Sequence, residues 1–93
     1  MQLIWSPEAE QDLDELDAYI AERNPAAADD IVERIDALAA ALRIFPERGR
    51  PGRVAGTREL VIPQLPWLLI YEIAGTQIHI LRVLHGARDW PPA

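Results

Sequence analysis

The sequence predicts an α+β domain, in which a helical hairpin packs on one face of a small antiparallel sheet in the order β-α-α-β-β-β. Residues 7–42 contain two segments with apolar side chains at helical spacing, each introduced by a capping residue and a proline. Residues 57–85 contain three short apolar runs separated by turn sequences, a pattern typical of strands. Because the chain has 93 residues, we expect a single domain over 1–93.

The first half begins with a short apolar strand, QLIW, and continues into the two helices. Ser6 and Asn24 are good N-cap residues, and each is followed by a proline, which fits the first helical turn. The apolar positions that recur at steps of three and four are Ala9, Leu13, Leu16 and Ile20, then Ala28, Ile31, Ile35, Leu38 and Leu42. Pro46 forbids continuation of the second helix. The short connection RNPAAAD predicts that the helices are antiparallel.

The second half is predicted to form a β-meander. A loop rich in Gly, Pro and Arg, ERGRPGRVAGT, leads into the strands TRELVI (57–62), WLLIYEI (67–73) and QIHILRVLH (77–85). PQLP and AGT separate these strands and have turn composition. Strands joined by such short turns should pair antiparallel.

The composition excludes several classes of protein. The chain has no cysteine, which rules out a disulfide framework and a Cys-based zinc site. No stretch approaches the roughly 18 apolar residues of a membrane span, and MQLIWSPEAEQDL lacks the features of a secretion signal, so we expect a cytoplasmic protein without membrane contact. All 9 basic residues are arginines, and the net charge of −6 is uneven. Residues 1–45 hold 11 acids and 3 arginines, whereas residues 46–93 hold 4 acids and 6 arginines, which predicts an arginine-bearing face.

Two arginines lie inside otherwise apolar strands. If side chains alternate strictly between the two faces of a strand, Arg58 and Arg82 have only apolar neighbours on their own faces. An isolated charge in a dry core is very unfavourable. Each should therefore face solvent, a carboxylate or a ligand. One interpretation pairs them with Glu59, Glu72 or Asp89 in structural salt bridges. The other makes them a clamp for phosphate or for an acidic partner, on one shared hollow.

Other side chains could carry chemistry. His85 closes the last strand and could move protons, although it could equally bond a backbone group. Glu47 lies in FPERGRPG, where it is either a general base or a solvated loop residue. Trp90 could stack on a base or hold the C-terminal tail to the body. No His, Asp and Glu pattern has metal-ligand spacing and no glycine-rich loop has the P-loop form, so we predict neither a metal nor a cofactor.

The chain resembles the RelE/ParE superfamily, the toxins of bacterial type II toxin–antitoxin pairs, in three stretches that follow one another in the right order. These are IWSPEAEQDLDELDAYIAERNPAAADDIVERID, FPERGRPGRVAGTREL and IYEIAGTQIHILRVLHGARDW. The resemblance implies the β-α-α-β-β-β fold of that superfamily. It also implies a cognate antitoxin that wraps around the chain in a heteromeric complex.

The resemblance leaves two targets open. Members similar to RelE and YoeB cleave mRNA in the ribosomal A site without a metal. Their catalytic Glu, Arg and His would correspond to Glu47, Arg58 and His85 here, with Arg82 as a further phosphate contact. The chain departs from that branch in having no lysine and in being acidic.

Members similar to ParE inhibit DNA gyrase and perform no reaction of their own, and ILRVLH is closer to their last strand. We favour gyrase as the target, with ribosome-dependent mRNA cleavage as the alternative and a non-toxic antitoxin-binding module as the second alternative. The candidate phosphate- or target-binding residues are Arg50, Arg58, Arg82, Arg88 and Trp90.

Overall fold

The computed structural model describes residues 1–86 and residue 90. Its elements are β1 (Gln2–Trp5), α1 (Pro7–Ala21), α2 (Pro25–Ala41), β2 (Arg50–Pro51), β3 (Thr57–Val61), β4 (Trp67–Ala74) and β5 (Gln77–His85). The predicted fold class and the predicted order of the long elements are confirmed. The two-residue strand β2 is an addition, and it lies inside the segment that the sequence predicts to be a loop.

Both helices begin at their predicted caps. The Ser6 hydroxyl accepts a hydrogen bond from the backbone N–H of Ala9 at 3.0 Å, and the Asn24 side chain accepts one from Ala27 at 3.1 Å. These bonds satisfy N–H groups that have no partner within the first helical turn. The short turn between the helices makes them an antiparallel hairpin, as predicted.

The five strands form one sheet in the order β1-β5-β4-β3-β2. The strands from β2 to β5 pair antiparallel, as predicted, but β1 pairs parallel with β5 and the sheet is therefore mixed. Strands joined by tight turns must reverse direction, whereas β1 is linked to the meander through two helices and is free of that constraint.

A β-bulge in β5 changes which face its residues occupy. Ile70 pairs with Arg82 and Tyr71 pairs with Ile80, so one extra residue of β5 lies between these two pairs. Because Ile70 and Tyr71 are consecutive, Arg82 and Ile80 lie on opposite faces, and the expectation of a shared face is wrong. The bulge also allows Ile80 and Val83, three residues apart, to join the same core.

The core lies between the helical hairpin and the sheet. Its buried side chains are Ala9, Leu16, Ile35, Ala39, Leu42, Leu60, Ile62, Leu69, Tyr71, Ile78, Ile80 and Val83. The helical members lie three, four or seven residues apart, as one buried helix face requires. Ala39 is not among the predicted positions, and the predicted Leu13, Ile20, Ile31 and Leu38 pack against this core partly buried. Within residues 1–86 and 90, neither helix has the length and apolarity needed to cross a bilayer.

Candidate functional site

Arg82 is bound to an acid on the first helix. Its Nε donates to Oδ2 of Asp12 at 2.7 Å and its Nη2 donates to Oδ1 at 2.9 Å, a bidentate ion pair. The hydrogen bond to Asp12 is the main reason that the pKa of Arg82 is raised above its ordinary value. The acids that the sequence suggests as partners are Glu59, Glu72 and Asp89, which are closer to Arg82 along the chain than Asp12 is.

Asp12 also closes the exposed edge of β5. Its Oδ2 accepts a hydrogen bond from the backbone N–H of Val83 at 2.9 Å. The strand β1 covers β5 only as far as Ile80, so this N–H lies beyond the last pair of the sheet. One carboxylate thus satisfies a guanidinium and a strand-edge donor together.

Arg58 donates its hydrogen bonds to the backbone of a loop rather than to an acid. Its Nη1 donates to the carbonyl oxygen of Gly49 at 2.7 Å and to that of Glu47 at 3.3 Å. The register places Arg58 opposite Tyr71, on the face opposite to that of Arg82. The expectation that Arg58 and Arg82 share one hollow is wrong, because Arg58 binds the carbonyls of the loop at Glu47 and Gly49, whereas Arg82 binds Asp12 on α1 and lines a cavity that does not include Arg58.

Tyr71 fastens the same loop from inside the core. Its hydroxyl donates to the carbonyl oxygen of Pro46 at 2.6 Å and accepts from the N–H of Gly49 at 2.8 Å. Burial raises the pKa of Tyr71, and the hydrogen bond from Gly49 and the charge of Arg58 act against that rise. A Cβ at position 49 would lie 2.8 Å from the Tyr71 ring, so the close approach requires glycine. We call residues 46–49 the latched loop.

The candidate base Glu47 lies in the latched loop. It is exposed, and its backbone carbonyl oxygen, not its carboxylate, accepts the hydrogen bond from Arg58. Glu47 and Arg58 are thus neighbours. This contact could not be predicted from the sequence, because Arg58 binds a backbone carbonyl, a group that every residue has.

Glu59 is a buried acid of β3 that binds the arginine-rich loop. Its side chain is 1% exposed and lies 3.4 Å from Nη2 of Arg50 and 3.6 Å from Nη2 of Arg53. Its Oε2 accepts a hydrogen bond from the backbone N–H of Arg53 at 3.0 Å. One interpretation of the sequence offers Glu59 as one of three possible partners of Arg58 and Arg82. The structure pairs it with two loop arginines instead, because Glu59 and Arg58 point to opposite faces of β3.

His85 lies in a groove of about 590 Å³ between α1 and the adjoining ends of β4 and β5. Its ring meets that of Trp67 edge to face, with centroids 5.3 Å apart. The groove is lined by Asp12, Glu15, Leu16, Tyr19, Pro66, Trp67, Arg82, Val83, Leu84 and His85. The structure therefore brings Arg82 and His85 together, and we call this cavity the α1–β5 groove.

The groove and the latched loop are far apart. His85 pairs with Trp67 and Arg58 pairs with Tyr71, four residues further along β4. Four residues of strand span about 13 Å, and β3 and β5 are separated by two strand spacings, about 10 Å. The pair Glu47 and Arg58 is therefore separated from His85 in the described structure.

The remaining candidates lie near the C-terminus. Arg88 lies outside the described residues. Trp90 is partly buried, its carbonyl oxygen accepts from Nη1 of Arg53 at 3.4 Å, and its indole Nε1 is buried without a hydrogen-bond partner in the described structure. Among residues 1–86 and 90, no three His, Asp or Glu side chains are grouped so that they could hold a metal ion.

Comparison with known proteins supports the resemblance over nearly the whole chain. The family model for the ParE toxin of the type II toxin–antitoxin system parDE matches residues 3–90. Y4kP of Sinorhizobium fredii, which is named as a toxin, is 41% identical over 87 residues, covering 94% of this chain and 90% of that protein. Toxin RelE2 of Caulobacter vibrioides is 37% identical and covers 94% of this chain and 97% of its own.

Solved structures are similar in fold. The chain matches a structure of the chromosomal ParDE toxin–antitoxin system from P. aeruginosa with a TM-score of 0.85 and 28% identity, over 92% of this chain and 96% of that one. A YoeB/ParE toxin from Agrobacterium tumefaciens matches with a TM-score of 0.64 and 19% identity, over 91% and 98% of the two chains. At that lower identity the second match shows the fold alone.

Proposed function

The chain belongs to the ParE toxin family of type II toxin–antitoxin systems, and we propose that it inhibits DNA gyrase by binding it, without a reaction of its own. As a toxin of the ParE/RelE superfamily it has a cognate antitoxin as its partner. Gyrase as the target, the non-enzymatic mode of action and a cytoplasmic location are our proposals.

The observation that carries the proposal is the separation of the three candidate catalytic residues. General acid–base cleavage of one phosphodiester needs its base, charge stabiliser and acid within hydrogen-bond reach of the same reacting group. Glu47 lies in the latched loop and Arg58 lies in β3 beside it, whereas His85 lines the α1–β5 groove. The offset of about 13 Å along β4 favours a toxin that acts through contact surfaces.

The arginine contacts agree with this interpretation. Arg58 uses Nη1 on two backbone carbonyls, and Arg82 uses Nε and Nη2 on Asp12. Asp12 occupies one bidentate edge of the Arg82 guanidinium, and its carboxylate would repel an RNA phosphate placed beside it. The net charge of −6 also disfavours RNA as a ligand, whereas a protein target responds to the charge of the contact patch.

One observation favours ribosome-dependent mRNA cleavage as a second candidate. Arg82 and His85 line the same groove, and a groove of about 590 Å³ has room for a nucleotide. In that case His85 would be the general acid and Arg82 the phosphate contact, with the base supplied from elsewhere.

A gyrase cleavage assay separates the two candidates. Purified protein is incubated with gyrase, ATP and supercoiled plasmid, the reaction is stopped with detergent and protease, and linear DNA is measured. We expect linear DNA that increases with protein concentration and is lost when the purified antitoxin is added. In parallel, a programmed ribosome with mRNA in the A site is tested for cleavage. No effect on gyrase together with A-site cleavage would overturn the proposal.

Variants of the candidate catalytic residues sharpen this test. Glu47→Gln and His85→Gln remove the base and the acid that nuclease chemistry would use, and both side chains are exposed, so the fold should survive. We expect both variants to stop growth as the wild type does. A loss of toxicity in both, with melting temperatures unchanged, would instead support the nuclease.

A further inference from the structure

An exposed apolar patch follows the C-terminus of α2. Residues Ile44 and Phe45 are 74% and 63% exposed, the highest values among the large apolar residues of the described structure. Together with Pro46, Glu47 and Arg48 they border an open depression of about 650 Å³. We call these five residues the 44–48 patch. Adjacent large apolar side chains held in solvent typically mark a contact site for another molecule.

The backbone of the 44–48 patch is fixed from several sides. The N–H groups of Ile44 and Phe45 both bond the carbonyl oxygen of Ala41, at 3.0 Å each, and the N–H of Arg48 bonds that of Phe45 at 3.2 Å. The latched loop contributes the bonds from Tyr71 to Pro46 and from Arg58 to Glu47 described above. A surface already held in one conformation loses little conformational entropy on binding, which suits it to a rigid partner.

The charge around the patch is opposite to that of the chain. Positions 43–53 hold four arginines and one glutamate, although the whole chain has a net charge of −6. Arg43 and Arg48 are exposed, and the side chain of Arg50 is 60% exposed even though it contacts Glu59. Guanidiniums around an apolar centre complement a surface whose apolar pocket is bordered by carboxylates.

We propose that the 44–48 patch is the surface by which this chain docks on its folded protein target, at an apolar pocket bordered by carboxylates. The inference rests on the proposed function, under which that target is gyrase. Phe45 is the central anchor, and Arg48 supplies the charged contact at the rim.

The α1–β5 groove differs from the patch in shape and in charge. Its walls come from α1 and the ends of two strands, whereas the 44–48 patch is one continuous stretch of chain with two largely exposed apolar residues, and Glu15 and the Asp12–Arg82 pair line the groove, so it offers no excess of exposed arginines. A concave groove suits a flexible segment that folds as it binds, whereas a fixed, exposed aromatic side chain suits a pocket in a folded protein. The shapes therefore favour the target, rather than a flexible antitoxin segment, as the occupant of the 44–48 patch.

The test compares two patch variants with two matched controls in the gyrase cleavage assay. Phe45→Ser removes the anchor and Arg48→Glu reverses the rim charge. Val61→Ser removes an exposed apolar side chain from β3, and Arg23→Glu reverses a charge near the opposite end of α2. We expect the concentration for half-maximal cleavage to rise about 30-fold for Phe45→Ser and about tenfold for Arg48→Glu, and to change less than about twofold for the controls.

Every outcome has a defined consequence. Reduced potency of both patch variants, with melting temperatures within a few degrees of the wild type, supports the docking surface. Unchanged potency of both patch variants overturns it. If the patch variants lose affinity for the purified antitoxin but keep their potency against gyrase, the proposal is also overturned, because the patch would then be a contact surface for the antitoxin. If the wild-type protein has no effect on gyrase, the proposed function is wrong. This result comes from the wild type alone, so it is distinguished from a failure of the docking surface, which requires the variants. Arg48→Glu leaves Phe45 in place, so it remains informative should Phe45→Ser not fold.

Discussion

Arg82 in the last strand and Asp12 in the first helix are joined by two hydrogen bonds of 2.7 and 2.9 Å, across 70 positions of sequence. The same carboxylate accepts the N–H of Val83 at the edge of β5. Three donors therefore converge on one acid, and this contact ties α1 to the end of the sheet where the α1–β5 groove opens. The Asp12–Arg82 pair is in the first place a structural element of the groove wall.

Asp12→Asn should destabilise the fold. An amide oxygen in the Oδ2 position can still accept from Val83 and from Nε of Arg82, but the NH₂ group in the Oδ1 position would face Nη2 of Arg82, so the guanidinium loses one hydrogen bond and its opposite charge. We expect the free energy of unfolding to fall by about 1–3 kcal/mol in urea titrations followed by circular dichroism. Asp14→Asn, an exposed change on the same helix, is the control and should stay within about 0.5 kcal/mol.

A double-mutant cycle tests whether the pair itself is responsible. Arg82→Met keeps an apolar stem of similar length and removes the charge. If Asp12 and Arg82 stabilise the fold through each other, the double variant Asp12→Asn/Arg82→Met should be less destabilised than the two single changes predict, by about 1 kcal/mol. Simple additivity would mean that the two residues act through separate contacts.

The sequence predicts the fold well where the signals are local. Ser6 and Asn24 cap the helices through side chains that bond an N–H three positions later, so four consecutive residues contain the whole signal. The three strands of the meander are likewise bounded by turns that can be read directly. The parallel pairing of β1 has no such local signal, because its partner lies 75 positions away.

The candidate site is predicted less completely, and the reason lies in β5. Strict alternation gives Arg82 the face of Ile80, but a bulge shifts the register by one residue, and a bulge has no residue pattern that this sequence displays. The partner Asp12 could not be inferred, since eleven acids occur in the first 45 residues and only the tertiary fold selects one. Arg58 was identified as unusual within its strand, yet its partners are backbone carbonyls, which look alike at every position of a sequence.

Tyr71→Phe should loosen the latched loop. The variant keeps the buried ring but leaves the N–H of Gly49 and the carbonyl oxygen of Pro46 without the partner that now lies at 2.8 and 2.6 Å. We expect a loss of about 1–3 kcal/mol in the free energy of unfolding. Tyr19→Phe is the matched control, because Tyr19 is exposed and its hydroxyl accepts only a 3.3 Å bond from Arg23 among the contacts described. A similar loss in both variants would contradict the latch.

The raised pKa of Tyr71 predicts a loss of stability in alkali. Burial keeps the phenol protonated in the folded chain at a pH at which the unfolded chain, with an ordinary pKa of 10.0, has released the proton. The unfolded state then binds fewer protons than the folded state, so the free energy of unfolding falls as pH rises above about 10, and is unaffected by this group well below that pH. Urea titrations at several values between pH 8 and pH 11 should show the stability advantage of the wild type over Tyr71→Phe shrinking. An advantage that stays constant over this range would argue against the assignment.

Gly49→Ala tests how closely the loop is packed against the core. The new Cβ would lie 2.8 Å from both Cε1 and Oη of Tyr71 and 3.1 Å from the carbonyl oxygen of Glu59, and the ring cannot move far because it is fully buried. We expect the free energy of unfolding to fall by about 1–3 kcal/mol, measured by urea titration. In a Tyr71→Phe background the Oη contact is absent, so the same change should be less destabilising there. Equal effects in the two backgrounds would mean that the loop backs away from the ring without strain, and that the hydroxyl of Tyr71 does not set its position.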